Sequence, residues 1–212
     1  MPLFLQHIEK DFRWGIWKVE ESEADLLACF SDKAMYADGL AKLKSPHRRI
    51  EWLAVRVLLK TLAGGEKRVG YLPNGRPFLK DGSYSLSISH TKGYVAVLLS
   101  SRQTLVGIDI EQTGERVRKV AHKFVGPSEV ISLYDNSDIW ALLLHWSAKE
   151  SMFKCLDTPE VDFISHLHIH PFQIQSSGTF QVHETRTPSA REYTVHYLLH
   201  PDFVLTYIYK LH

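Results

Sequence analysis

Apolar residues recur at helical spacing between positions 46 and 62, where Ile50, Leu53, Ala54, Val57 and Leu58 share a face and Gly64-Gly65 ends the run. A longer apolar run predicts a second helix near 137–156 and a shorter one near 115–124. Ser22 has the character of an N-cap, with Asp25 three residues on, opening a helix into Leu26, Leu27 and Phe30. Alternation of apolar and polar positions predicts a strand over Arg13–Glu20. Further strands are expected near 84–89, 94–100, 107–111, 163–169, 179–184, 191–199 and 203–209. Pro73-Asn74-Gly75-Arg76-Pro77 is a turn by composition, and residues 101–104 are the expected joint between halves.

The second half replays the order of the first. The Gly-Ile pairs at 15–16 and 107–108 begin corresponding strands, and each is followed by helices and then more strands. The expected fold class is α+β, with two similar α/β halves in a pseudo-twofold arrangement, residues 1–104 and 105–212.

Bulk properties narrow the setting. The chain has 212 residues, 44% of them hydrophobic and 23% charged, which suits a globular protein with a sizeable core. A formal net charge of +1 gives no global drive toward nucleic acid or a membrane surface. Met1-Pro2-Leu3-Phe4-Leu5 lacks a basic region and is followed by Glu9, Lys10 and Asp11, unlike a signal peptide. Two cysteines, Cys29 and Cys155, suggest neither a disulfide framework nor a zinc site. A cytoplasmic protein with reduced thiols is expected.

Candidate chemistry lies in the second half. Asp109 and Glu111 are two apart in a strand pattern, so both carboxylates point to one face. Trp146, Glu150 and Lys154 are four apart in a helix pattern and share one face. Two acids from a strand and one from a helix suit a hard cation such as Mg²⁺. Asp109 and Glu150 are expected to be at least partly solvated. Lys154 is free by spacing either to pair with Glu150 or to meet a phosphate. Upstream, Ser85-Leu86-Ser87-Ile88-Ser89-His90 reads as a half-buried strand ending in Ser-His. His166-Leu167-His168-Ile169-His170 sets three histidines on one strand face, with no acid or cysteine partner near them in sequence. Such a run is more often a half-exposed strand than a metal site.

Ser87-Ile88-Ser89-His90, Gly107-Ile108-Asp109-Ile110-Glu111 and Trp146-Ser147-Ala148-Lys149-Glu150, with Lys154 beyond, occur in that order. Together they resemble the 4′-phosphopantetheinyl transferases of the surfactin-synthetase-activating type. The resemblance implies a monomer of two similar halves. It also implies transfer of the phosphopantetheine arm of coenzyme A to a serine of an apo acyl or peptidyl carrier protein, with release of 3′,5′-ADP. It maps Mg²⁺ to Asp109, Glu111 and Glu150. Coenzyme A phosphates fall to His90, Ser89, Arg76, Lys149, Lys154 and the arginines of His47-Arg48-Arg49, with Arg48 favoured over Arg49 for the 3′-phosphate. Arg56 is either a further contact or structural. His90 and Lys154 count as catalytic, and Glu129, after Phe124-Val125-Gly126-Pro127-Ser128, matches a general-base segment. Arg116, Lys119 and Lys123 form a basic face suited to an acidic carrier. Two other readings remain at this point: a non-catalytic binder of coenzyme A or a carrier, and a metal-dependent phosphodiesterase.

Overall fold

A computed structural model describes residues 3–101, 104–156 and 158–210. Its contacts divide the chain into two compact units, Met1–Arg102 and Gln103–His212. Arg102 and Gln103, in the middle of the expected joint, lie outside the described residues.

In the first unit the order is β1 (Leu3–Ile8), β2 (Phe12–Lys18), α1 (Glu23–Ala28), α2 (Ala34–Ala41), α3 (Pro46–Ala63), β3 (Val69–Tyr71), β4 (Pro77–Leu79), β5 (Ser85–Thr91) and β6 (Tyr94–Ser100). A four-stranded antiparallel sheet has the order β1-β2-β6-β5, and β3 and β4 form a separate hairpin. α3 lies on β2 and β6, with Leu53, Val57 and Leu58 in a core that includes Trp17, Val95 and Val97. The local signals work as expected here. Ser22 and Asp25 close a reciprocal capping box, and Gly64 ends α3 at a φ of 71°, where a side chain would be strained. In the β3–β4 turn Gly75 takes a φ of 86° and the Arg76 backbone N–H donates to Asn74 Oδ1 at 3.1 Å.

The second unit runs β7 (Leu105–Gln112), α4 (Arg116–Val120), a 3₁₀ turn (Ala121–Lys123), α5 (Ile139–Leu156), β8 (Leu167–Ile169), β9 (Ser177–Glu184), β10 (Arg191–His200) and β11 (Phe203–Lys210). Its five-stranded antiparallel sheet has the order β7-β11-β10-β9-β8. α5 packs on β7 and β11 over a core that includes Leu144, Ala148, Met152 and Val204.

The mixed helix and strand content agrees with the α+β expectation. The sequence pattern did not reveal β1, α2 or the β3–β4 hairpin. α2 has Gly39 in its interior and no side-chain cap, so packing of Tyr36 and Leu40 holds it rather than propensity. β8 is shorter than the expected 163–169. Asp162 accepts from the Ile164 and Ser165 backbone N–H groups and folds that approach into a turn. Neither Cys29 nor Cys155 forms a disulfide, and no helix among the described residues is long and apolar enough to cross a membrane.

Candidate active site

β7 carries the acids and α5 meets it at close range. Gly107 permits that approach: a Cβ there would run into the Ser151 carbonyl oxygen of α5. Small hydroxyl residues seat the same helix face on β11. Ser147 Oγ and Ser151 Oγ lie 2.9 and 2.8 Å from Thr206 Oγ1, and Ser151 Oγ also donates to the Thr206 carbonyl at 3.1 Å. Thr206 is paired in register with Asp109.

This packing brings Asp109, Glu111 and Glu150 into one electrostatic cluster. Lys154 Nζ donates to Asp109 Oδ1 at 2.8 Å and to the Ile108 carbonyl at 3.0 Å. Lys154 therefore pairs with the strand acid rather than with Glu150, its neighbour one helical turn back. Trp146 Nε1 donates to Glu111 Oε1 at 2.7 Å. Burial, then the charge of Asp109, pushes the Glu111 carboxyl up to about 7 against the pull of Trp146. Burial and Asp109 also raise Glu150. Asp109 is buried, 3% exposed, so the expectation that it would be partly solvated is corrected. It lies in the middle of β7, paired across to Thr206 of β11 and covered by α5. Glu150 is half-buried, as expected.

Three carboxylates face one ammonium in a confined space. Burial and the charge of Asp109 make Glu111 and Glu150 dearer to ionise, and a hard divalent cation would relieve both the repulsion and the burial cost. The donor set, all oxygen and anionic, thus fits Mg²⁺. Among the described residues no group of three or more His, Cys, Asp or Glu side chains is already closed around a metal-sized gap. Binding there requires the carboxylates to rotate inward.

Glu129 and Lys149 do something else. Lys149 Nζ donates to Glu129 Oε2 at 2.7 Å and to the carbonyls of Phe124 and Phe163 at 2.6 and 2.8 Å. The side chains are 1% and 0% exposed. Glu129 also accepts from the Gly126 and Ile169 backbone N–H groups. Burial lowers the Lys149 ammonium from the usual lysine range. A carboxylate filled by three donors and shut from solvent cannot take a proton from an incoming hydroxyl. The structure therefore corrects two expectations: Glu129 is not placed as a general base, and Lys149 is not placed as a phosphate contact. The pair ties α5 to the loop after the 3₁₀ turn and to β8.

The first unit holds a cavity of about 220 Å³ lined by Leu43, Arg48, Glu51, Trp52, Ile88 and His90, among others. Arg48 Nη1 lies 3.1 Å from His90 Nε2. Glu51 underlies both: its Oε atoms are 3.0 Å from His47 Nε2, 3.6 Å from Arg48 Nη1 and 3.8 Å from His90 Nδ1. Arg56 stacks 3.4 Å over the Trp52 ring and donates to Tyr71 Oη at 3.1 Å, forming a wall of the cavity. Arg49 turns away. It donates to Glu23 at 2.7 and 2.5 Å and to the Leu40 carbonyl at 3.1 Å, a structural role that corrects its inclusion among the phosphate contacts. Ser89 is buried in β5 beside His90, and Arg76 sits in the β3–β4 turn.

Sequence reasoning missed Glu51, Trp52 and Trp146 as organisers of these sites. The i, i+4 spacings His47–Glu51 and Trp52–Arg56 were available signals. The approach of β5 to α3, and of Glu111 to Trp146, was not.

Residues 105–208 match the family model described as the 4′-phosphopantetheinyl transferase superfamily. The matched stretch holds Asp109, Glu111, Glu150 and Lys154 and falls within the second unit. No curated protein sequence matches the chain.

Proposed function

We propose that this protein transfers the 4′-phosphopantetheine group of coenzyme A to a serine of an apo acyl or peptidyl carrier protein and releases 3′,5′-ADP. The observation that carries the reading is the carboxylate cluster of Asp109, Glu111 and Glu150, assembled between β7 and α5 inside the stretch that matches a phosphopantetheine-transferring family. Asp109, Glu111 and Glu150 would hold Mg²⁺. The ion supplies neutralising charge for the pyrophosphate oxygens.

The serine oxygen attacks the β-phosphorus, a P–O bond forms, and the bond to the leaving 3′,5′-ADP breaks. The serine proton needs an acceptor. With Glu129 buried in its ion pair and Glu150 committed to the cation, a water at the acid cluster would relay it. Lys154, released from Asp109, would meet negative charge on the substrate. In the first unit, Arg48 and His90 supply donors at the cavity for phosphate oxygens of the nucleotide end. Glu51 holds those two side chains in place. Arg116, Lys119 and Lys123 are exposed on and beyond α4, whereas Arg118 is tied to Asp138. The three exposed cations suit an acidic carrier surface. The shared order of strand, long helix and closing strand in the two units supports a chain of two similar halves.

The test is intact-mass analysis of an apo carrier protein incubated with this protein, coenzyme A and Mg²⁺. A mass gain of one phosphopantetheine on the carrier is expected, abolished by Glu150→Gln. Carrier-independent hydrolysis of coenzyme A would overturn the proposal in favour of a phosphodiesterase. Coenzyme A binding without transfer to any carrier would leave a binding protein.

A further inference from the structure

The histidine run at 166–170 meets in the folded chain an acid that shares its face of the sheet. His168 of β8 pairs in register with His183 of β9, and His183 with Glu192 of β10. Residues directly opposite across antiparallel strands project to one face, so imidazoles and a carboxylate share the same side of the sheet. His170, just past β8, holds its place by donating its backbone N–H to the Gln181 carbonyl. Glu192 Oε1 is the meeting point: it lies 2.9 Å from His183 Nδ1 and 3.5 Å from His170 Nε2.

We propose that His170, His183 and Glu192 form a binding site for a divalent transition cation of the Zn²⁺ class, which clips β8, β9 and β10 together. The donor set is two imidazole nitrogens and one carboxylate oxygen, a borderline set that favours Zn²⁺ over Mg²⁺. The distances agree. With metal–ligand bonds of about 2.0–2.1 Å, neighbouring ligands of a tetrahedral ion are about 3.3 Å apart. The two separations to Glu192 Oε1 bracket that value, but the three side chains are not already closed around an ion, so rotation of the imidazoles must complete the site. Without the ion, Glu192 Oε1 stands between both imidazoles.

The site is partly open to solvent, although His183 Nδ1 itself is buried and makes no well-aligned hydrogen bond, a need that a cation would meet. The side chains of His170, His183 and Glu192 are 52%, 35% and 50% exposed, so small rotations can close them around an ion. The other two histidines of the run are occupied. His166 Nδ1 accepts from the Asp162 backbone N–H, and His168 Nε2 lies 3.1 Å from the Ser165 carbonyl. The clip acts where the sheet is weakest, since β8 is an edge strand of three residues. The site is separate in residues and in ligand chemistry from the carboxylate cluster of β7 and α5.

Zinc chloride titrated into the full chain in the presence of excess Mg²⁺ tests this, followed by calorimetry and thermal melting. Cobalt(II) provides a visible spectrum of the coordination. One equivalent of Zn²⁺ is expected to bind and to raise the melting temperature. His183→Gln and Glu192→Gln should each weaken binding by about tenfold or more. His170→Gln should act likewise, and His166→Gln should not. Far-UV circular dichroism should show all of these variants folded, since the substituted side chains are exposed. Absence of binding by the wild-type chain would overturn the proposal. So would affinity that survives both His183→Gln and Glu192→Gln, or that is lost in Glu150→Gln, which would place zinc in the acid cluster instead.

Discussion

In the first unit the thirteenth residue of α3, Leu58, lies against Gly15 of β2; in the second the thirteenth residue of α5, Ser151, lies against Gly107 of β7. Both helices are 18 residues long. In both units the strand before the helices pairs antiparallel with the last strand, β2 with β6 and β7 with β11. The eleventh helix residue is a buried cation in each case, Arg56 in one and Lys149 in the other. What differs is the strand–helix seam. Counting from the glycines, Asp109 and Glu111 correspond to Trp17 and Val19. Counting along the helices, Glu150 corresponds to Val57. Trp17 and Val57 are buried in the apolar core of the first unit, and Val19 packs on it. A strand–helix contact at the same residue spacing is thus a dry seam in one unit and an anionic one in the other. The anionic seam costs stability in the metal-free chain, which is the pattern expected where function rather than packing selects the residues.

The largest predicted effect tests the seam directly. Gly107→Ala puts a methyl group into a backbone carbonyl that cannot step aside, so it should cost more than the ~1–3 kcal/mol typical of overpacking and prevent stable folding. Gly15→Ala meets side-chain methyls rather than backbone, Leu58 Cδ1 at 2.9 Å and Leu62 Cδ2 at 3.3 Å, and should stay within that range. Urea unfolding of both variants would break the comparison if Gly15→Ala proved the more damaging.

The buried cations come next. Lys149→Met strands the Glu129 carboxylate and should cost ~3–5 kcal/mol. Arg56→Met removes a cation whose hydrogen bonds go to the neutral Trp52 carbonyl and Tyr71 hydroxyl, and should cost ~1–3 kcal/mol. Equal losses in denaturant melts would remove the distinction. Adding Glu129→Leu to Lys149→Met should recover part of the loss, because the stranded charge goes with it.

The acid cluster should show itself in pH dependence. The folded-state pKa of Glu111, raised to about 7, lies above the ordinary glutamate value of 4.5. The folded state therefore holds its proton to higher pH than the unfolded chain, and this group lowers stability as pH rises from about 4.5 through 7. In chelator, Glu111→Gln should stabilise the protein by ~1–3 kcal/mol at pH 8 and by little near pH 4. The amide oxygen can still accept from Trp146. Mg²⁺ should raise the melting temperature of the wild type and do so less for the variant. A stability gain independent of pH would show that the carboxyl is not under this strain. Val19, at the corresponding place in the first unit, has no charge to produce such a profile.

The smallest effects concern recognition. Arg48→Ala should weaken coenzyme A by ~1–3 kcal/mol and reduce its preference over the 3′-dephospho form, measured by calorimetry. Arg49→Ala should leave that preference unchanged, because Glu23 holds its side chain elsewhere. Lys119→Glu with Lys123→Glu should raise the Michaelis constant for carrier severalfold and flatten its salt dependence, with coenzyme A affinity unaltered. A parallel fall in coenzyme A affinity would place that face in the substrate site.

The sequence by itself determined the two Gly-Ile strands, the two long helices, the Ser22 cap, the turn at Gly75 and the side of β7 on which Asp109 and Glu111 project. These follow from period, capping chemistry and glycine's freedom, all of which act within a few residues. Only tertiary structure decided which faces met. Helical spacing allowed Lys154 to reach Glu150, but the packing of α5 on β7 gave it Asp109. Lys149 and Glu129 are 20 residues apart, and only folding buried them together and removed Glu129 from proton transfer. Only strand register set His183 and Glu192 on the same sheet face as the histidines of 166–170. Periodicity says which residues share a face, whereas long-range packing sets what that face touches and how much water remains there. That second kind of information fixes ion pairs, raised carboxyls and metal ligands.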